Sequence, residues 1–145
     1  MGNRQVAEQW ARAMRDRDAV ALTEIVHPEV VVSYPQSGEI IRGKENFLAT
    51  VSNYPTSLPE TELSELHGTE ESVHVRSPLP FGMPTITVAG GGDTFVLEGV
   101  AHYPDGGVFH VAMIVRVRDG LVANETSYFA PPFDPPEWRA PFVEP

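Results

Sequence analysis

The chain has 145 residues, a length typical of a single domain that can bury a core of its own. It contains no cysteine, which excludes disulfides, thiolate metal clusters and a cysteine nucleophile. Its 20 acidic residues outnumber its 10 basic ones, so the net charge of −10 argues against nucleic acid or an anionic membrane surface as a partner.

Two helices are predicted at the start of the chain. Val6, Trp10 and Met14 recur every four residues opposite a charged side, which is the pattern of an amphipathic helix. A second helix is expected to begin at Asp18 as its N-cap and to end near His27, because a proline follows.

A strand and a third helix come next. Residues 30–34 are β-branched or aromatic and are followed by turn residues, which indicates a strand. A helix over residues 44–51 is expected after Gly43, with Phe47 and Leu48 on its apolar side.

The second half of the chain predicts a sheet. Residues 55–84 contain five prolines, and we expect them to form an edge strand around residues 73–76 and a long loop. Further strands, separated by turns rich in Gly and Asp, are expected at residues 85–88, 94–103, 108–117 and 121–129. Helices first and strands afterwards predict an α+β fold with the sheet curled over the helices.

The C-terminal residues 131–145 combine six prolines with Phe133, Trp138 and Phe142. This segment is too aromatic for a free linker. We expect it to belong to the same domain as residues 1–130 and to lie as an extended strap on the chain's own sheet. The alternatives are a cap over a site or a crossing to a second subunit.

Two passages resemble the NTF2-like, or SnoaL-like, family. They are residues 27–45, which run from the first strand through a turn into the third helix, and residues 115–129, which form the last hairpin. The resemblance covers most of the chain apart from residues 55–84. It implies a curved antiparallel sheet wrapped around the N-terminal helices, forming a cone with an internal pocket. Isomerases, epoxide hydrolases, polyketide cyclases and transport factors share this fold.

The family's ketosteroid isomerases use a tyrosine, an aspartate base and a protonated aspartate. The resemblance places these groups on Trp10, Tyr34 and Met113, so all three are missing here. The Asp-Arg-Asp arrangement of the epoxide hydrolases is not evident either, because the alternating positions 109, 111, 113 and 115 are apolar. We therefore expect the pocket to persist without that chemistry.

Glu125 and Tyr34 are the candidate catalytic residues. The resemblance directs Glu125 into the cone, where poor solvation should raise the pKa of its carboxyl and suit it to general acid or base work. Tyr34 can donate a hydrogen bond to a ligand carbonyl or enolate. The alternatives are a Glu125 at the wet mouth or paired with an arginine, and a Tyr34 satisfied by a backbone carbonyl.

Candidate ligand contacts follow from the same alignment. Hairpin counting across the turn at residues 104–107 brings His102 and His110 together, on the outer face of the sheet unless a bulge in that turn reverses the parity. Two histidines without an inward carboxylate do not predict a metal site. No cofactor is expected. The residues that the resemblance directs toward a ligand are Trp10, Phe109, Met113, Ser127 and Phe129.

Two functions stay open. The first is a cofactor-independent isomerase or cyclase acting on an apolar carbonyl compound, and the alternative is a non-catalytic ligand-binding or dimerisation module. A homodimer is expected through the convex sheet face, which carries Val100, Ala112 and Ile114. Without a bilayer-spanning apolar run or a secretion signal in the sequence, we expect a cytoplasmic protein.

Overall fold

The computed structural model describes residues 1–54, 60–68 and 92–144, and of residues 60–65 the backbone alone. Within these ranges the helices are α1 (Asn3–Asp16), α2 (Ala19–Ile25) and α3 (Lys44–Ser52), and a 3-10 helix spans Glu137–Phe142. The strands are β1 (Val26–Tyr34), β2 (Glu39–Arg42), β3 (Glu60–Gly68), β4 (Thr94–His102), β5 (Val108–Arg118) and β6 (Leu121–Ala130). None of the helices in the described ranges has the length and apolar character needed to cross a bilayer.

The strands form one sheet of six in the order β2-β1-β6-β5-β4-β3. The predicted α+β fold is confirmed, with one correction to the strand directions. β1 and β6 run parallel, whereas the other described neighbours pair antiparallel, so the sheet is mixed. Since β2, α3 and the strands β3–β5 lie between β1 and β6 along the chain, no tight turn imposes an antiparallel pairing there.

The junction between α2 and β1 differs from the prediction. Asp18 caps α2 as expected, and its carboxylate accepts a hydrogen bond from the Ala21 N–H at 3.0 Å. The helix ends at Ile25, and Val26 is already extended and paired with Val122 of β6. Proline lacks a backbone donor, and the pairing of β1 with β6 shifts register in the stretch that contains Pro28.

Two strands were not predicted. β2 pairs with β1 as a short hairpin, and β3 lies at the opposite edge of the sheet beside β4. The stretch of residues 55–84 thus contains an edge strand, but one that begins at Glu60. The strand positions predicted at residues 73–76 and 85–88 lie outside the described residues.

The core lies between α1 and the inner face of the sheet. Val6 and Trp10 of α1 are 0% and 1% exposed, and they belong to the same cluster of buried residues as Phe95 of β4 and Val115 of β5. Removing such side chains from water contributes about 1.5–3 kcal/mol each. The buried stripe of α1 follows the four-residue spacing that its sequence predicts.

The C-terminal segment leaves its aromatic side chains in solvent. Phe133, Trp138 and Phe142 are 79%, 73% and 83% exposed. The expectation that they pack on the chain's own sheet is therefore wrong. Four prolines within residues 131–136 lack the N–H groups that would prolong the pairing of β6 with β5, so the segment leaves the sheet. Whether residues 131–145 belong to the domain of residues 1–130 stays a prediction.

Two Phe→Ala variants test where the core lies. Phe95→Ala should lower the free energy of unfolding by about 3–5 kcal/mol, because it leaves a cavity in the packed face. Phe133→Ala, the matched control in the exposed tail, should change it by less than about 0.5 kcal/mol. Urea denaturation of both variants measures these changes, and similar losses would contradict the described core.

Candidate functional site

A cavity of about 150 Å³ lies between α1, α3 and the inner face of the sheet. That volume is comparable to an engineered cavity that holds benzene. Among the described residues its buried lining is apolar apart from one carboxyl group, and consists of Trp10, Ala11, Phe47, Leu97, Ala101, Val111 and Glu125. The partly or fully exposed lining residues include Met14, Arg15, Arg17, Tyr34, Thr50, Val51, Tyr54, Tyr103, Met113 and Phe129.

Glu125 is held in the middle of the sheet by its two strand neighbours. Its Cα partners are Val115 on β5 and Val32 on β1, both 0% exposed. Successive side chains of a strand point to opposite faces, so Glu125 and Ser127 share the inner face while Asn124 is exposed. Glu125 is 2% exposed, which matches the predicted inward orientation.

The two oxygens of this carboxyl group have different surroundings. The Ser127 hydroxyl donates a hydrogen bond to Oε1 at 2.5 Å, and Oε2 is buried with no hydrogen-bond partner in the part of the chain that the structure describes. Burial raises the pKa of Glu125 to about 7, and the Ser127 hydrogen bond opposes this rise. Among the described residues no arginine contacts the carboxyl, so the alternative of an arginine partner is not met, and the hydrogen-bond donor is Ser127.

Tyr34 ends β1 and lines the same cavity half-buried. Burial and then the nearby Glu125 charge raise the pKa of Tyr34, so its phenol stays protonated and can act as a donor. Its ring is tilted against that of Phe129, with the centroids 6.3 Å apart. The structure thus brings Tyr34 and Glu125 to one cavity, although no hydrogen bond joins the two side chains.

Three of the five predicted ligand contacts line the cavity, namely Trp10, Met113 and Phe129. Ser127 is not among the lining residues and instead holds the Glu125 carboxyl. Phe109 is not among them either, because its ring packs edge-on against Tyr103 with the centroids 5.3 Å apart. Their roles as ligand contacts stay predictions.

Sequence reasoning missed the polar lining residues Arg17, Tyr54 and Tyr103. Arg17 follows α1 and Tyr54 precedes a proline, so both stand at positions typical of connections between elements. For Tyr103 a signal existed. It continues the alternation of Leu97 and Ala101 on β4, both of which are buried at the cavity.

The two histidines lie on the other face of the sheet. His102 and His110 are both exposed, and their Cα partners Val108 and Val100 place them diagonally across the β4–β5 ladder. Among the residues that the structure describes, no three His, Asp or Glu side chains form a group able to hold a metal ion.

Comparison with known proteins identifies the fold family. The family model described as a SnoaL-like domain matches residues 7–125. The chain belongs to the SnoaL-like family. This confirms the resemblance found in the sequence, and the cavity with Glu125 lies on the SnoaL-like scaffold of the chain. No curated protein matches the sequence.

Solved structures support the same fold. An NTF2-like protein of unknown function from Burkholderia xenovorans has 26% identity and a TM-score of 0.73, covering 99% of this chain and 94% of its own. A proposed ketosteroid isomerase from Kribbella flavida has 19% identity and a TM-score of 0.71, with coverages of 99% and 88%. An NTF2-like protein of unknown function from Mesorhizobium loti has 16% identity and a TM-score of 0.62, with coverages of 88% and 89%. The latter two show the fold alone.

The raised pKa of Glu125 has a consequence for stability. Between its ordinary value of 4.5 and the folded value of about 7, the folded SnoaL-like domain keeps a proton that the unfolded chain has lost. The contribution of Glu125 to the unfolding free energy is therefore largest below pH 4.5 and falls by about 3 kcal/mol as the pH rises to 7.

Glu125→Gln removes this titration. The difference in unfolding free energy between variant and parent therefore reports on Glu125 and not on the other carboxyl groups. We expect the unfolding free energy of the variant, relative to the parent, to increase by about 3 kcal/mol between pH 4.5 and 7 and then to stay level. Urea denaturation at a series of pH values measures the difference. If the unfolding free energies of parent and variant instead change in parallel across this pH window, the pKa of Glu125 lies near its ordinary value.

Proposed function

We propose that the chain is a cofactor-independent enzyme, an isomerase or cyclase, that moves a proton on an apolar carbonyl compound with Glu125 as general acid and base. The observation that carries the proposal is the Glu125 carboxyl itself. It is buried in an otherwise apolar inner wall, has one oxygen without a partner and has a pKa near neutrality. A group with this pKa is present in both protonation states at neutral pH, as proton transfer in both directions requires.

The proposed reaction uses two side chains. The Glu125 carboxylate removes a proton from the carbon next to the ligand carbonyl, and the electron pair of that C–H bond forms an enolate. The neutral Tyr34 phenol donates a hydrogen bond to the enolate oxygen and keeps its own proton. Where the ligand has a C=C bond beside that carbon, the enolate is a dienolate, and return of the proton from Glu125 to its far carbon shifts the double bond and completes an isomerisation. Attack of the enolate carbon on a second carbonyl of the same ligand, followed by protonation of the new alkoxide, completes a cyclisation.

A non-catalytic binding module is the second candidate, and the size of the cavity favours it. About 150 Å³ is below the roughly 300–1,000 Å³ usual for small-molecule sites. The large side chain of Trp10 occupies the inner end and is 1% exposed. In this case Glu125 would bind a polar group of the ligand without transferring a proton.

Exchange of α-protons in cyclohexanone dissolved in D₂O distinguishes the two candidates. This compact cyclic ketone suits the cavity volume and exchanges only if a base removes its α-proton. We expect the parent protein to accelerate exchange, and Glu125→Gln to lower that acceleration by about 100-fold or more. Proton NMR measures the rate. The matched control is Glu45→Gln, which changes an exposed glutamate in the first turn of α3.

The control variant should exchange the ketone at the parental rate. A parent protein that does not accelerate exchange, or a Glu125→Gln variant that retains the acceleration, would contradict the catalytic proposal. Binding of cyclohexanone without exchange would favour the module.

We further propose a homodimer through the outer face of the sheet. On this face Ile114 and Tyr128 are 38% and 40% exposed, and Val100 and Ala112 are partly exposed beside them. An apolar surface of this kind is stabilised by covering it with a second copy.

We also propose a cytoplasmic location, because a chain without cysteine suits a reducing compartment. The net charge of −10 is the support for proposing no nucleic-acid or membrane partner.

A charge on the outer face should separate the subunits. We expect Ile114→Glu to be a monomer at micromolar concentration in sedimentation velocity, because two-fold symmetry would bury the new carboxylate in the interface. Val20→Glu is the matched control, since Val20 is 75% exposed on α2 and not on the sheet, and it should sediment like the parent. A monomeric parent protein would contradict the proposed dimer.

A further inference from the structure

Arg17 brings a cation to the cavity that the proposed reaction does not use. It follows α1 in the left-handed conformation with φ 50°, reverses the chain before Asp18, and is half-buried. Its guanidinium carbon lies 3.9 Å from the centroid of the Tyr54 ring. Stacking on an aromatic face holds the plane of a guanidinium and leaves its N–H groups available at the edge.

No carboxylate among the described residues lies within 4.0 Å of the Arg17 guanidinium, although acidic residues are twice as frequent as basic ones in this chain. Two other arginines have carboxylate partners. Arg15 contacts Asp16 at 2.7 Å, and Arg118 contacts Glu29 at 3.3 Å. A half-buried cation interacts more strongly with an anion than a fully solvated one, because water screens it less.

Phenol groups surround the same end of the cavity. Burial and the neighbouring Tyr54 raise the pKa of Tyr103, and the charge of Arg17 opposes this rise. Arg17 acts in the same sense on Tyr34, whose pKa is raised mainly by burial. Arg17 and the three tyrosines all line the cavity, so the guanidinium and the phenols face the same space. Planar N–H donors next to hydroxyl donors are the groups that bind a carboxylate.

We propose that the ligand of this cavity is a small monocarboxylate with a compact apolar body, and that Arg17 binds its carboxylate. One guanidinium matches one negative charge. Tyr54 is 37% exposed and Glu125 is 2% exposed, so the carboxylate lies at the more open end and the body extends inward along Trp10 and Leu97. The oxygen at the far end of the ligand reaches Glu125, and this part alone rests on the proposed function.

Two probes of equal shape test the carboxylate site. They are 4-oxocyclohexanecarboxylate and the uncharged 4-oxocyclohexanecarboxamide, titrated by calorimetry into the full chain at about 0.15 M salt, where long-range repulsion from the acidic protein is screened. We expect the parent to bind the carboxylate about ten-fold or more tightly than the amide, as a charge-assisted hydrogen bond predicts.

Substitutions locate the source of that preference. Arg17→Gln should bind both probes with equal affinity, whereas Arg17→Lys should keep part of the preference because it keeps the charge. The matched control is Arg12→Gln, which changes an exposed arginine of α1 that does not line the cavity, and it should keep the full preference. Circular dichroism checks that each variant is folded, and the comparison of the two probes on the parent needs no variant.

Equal affinities of the parent for the two probes would overturn the proposal. The proposal would also be overturned if neither probe bound the parent at about 10 mM, or if the Arg17→Gln variant still preferred the carboxylate. The outcome is separate from that of the ketone exchange. A preference that depends on Arg17, without any proton exchange, would support the carboxylate site and reject the proposed catalysis. Exchange that depends on Glu125, without a carboxylate preference, would do the reverse.

Discussion

Desolvation of one carboxyl group is the constraint from which the properties of this cavity follow. Glu125 lies between Val32 and Val115, and among the described residues only Ser127 donates a hydrogen bond to it. An isolated charge in such a place costs several kcal/mol, so the group holds its proton to higher pH than a solvated glutamate. β5 supplies one neighbour and β1 the other. Without β1 the Glu125 strand would be an edge of the sheet, and water would reach the carboxyl.

The two ends of the cavity differ in polarity because they differ in exposure. At the buried end the protonation state of Glu125 adjusts to the apolar wall. At the more open end the half-buried guanidinium of Arg17 stacks on the Tyr54 ring. A molecule that fits both ends has its own charge on the solvent side and a neutral polar atom inside, so the cavity distinguishes the two orientations of an asymmetric ligand.

The sequence predicts local features of this chain better than distant pairings. Four-residue spacing predicts the buried stripe of α1, and the family resemblance, extended along β6 by two-residue alternation, predicts the inward direction of Glu125. The same alternation places Ser127 on the face of Glu125, so their contact was available from the pattern and was overlooked. The pairing of β1 with β6 joins distant segments, and no local signal specifies it. The aromatic composition of the C-terminal segment predicted that Trp138 packs on the sheet. The prolines and the 3-10 helix of that segment instead leave Trp138 in solvent.

The parallel pairing of β1 with β6 has a consequence for the order of folding. Val32 and Glu125 are paired although roughly 90 residues separate them, a long-range contact of the kind that slows folding. While a ribosome is still making β6, the β1–β2 hairpin has an open edge that can pair with another nascent chain. Glu125 loses its contact with water only when that edge is covered. Its proton uptake at neutral pH therefore marks the moment at which β1 and β6, the first and last strands along the chain, pair with each other.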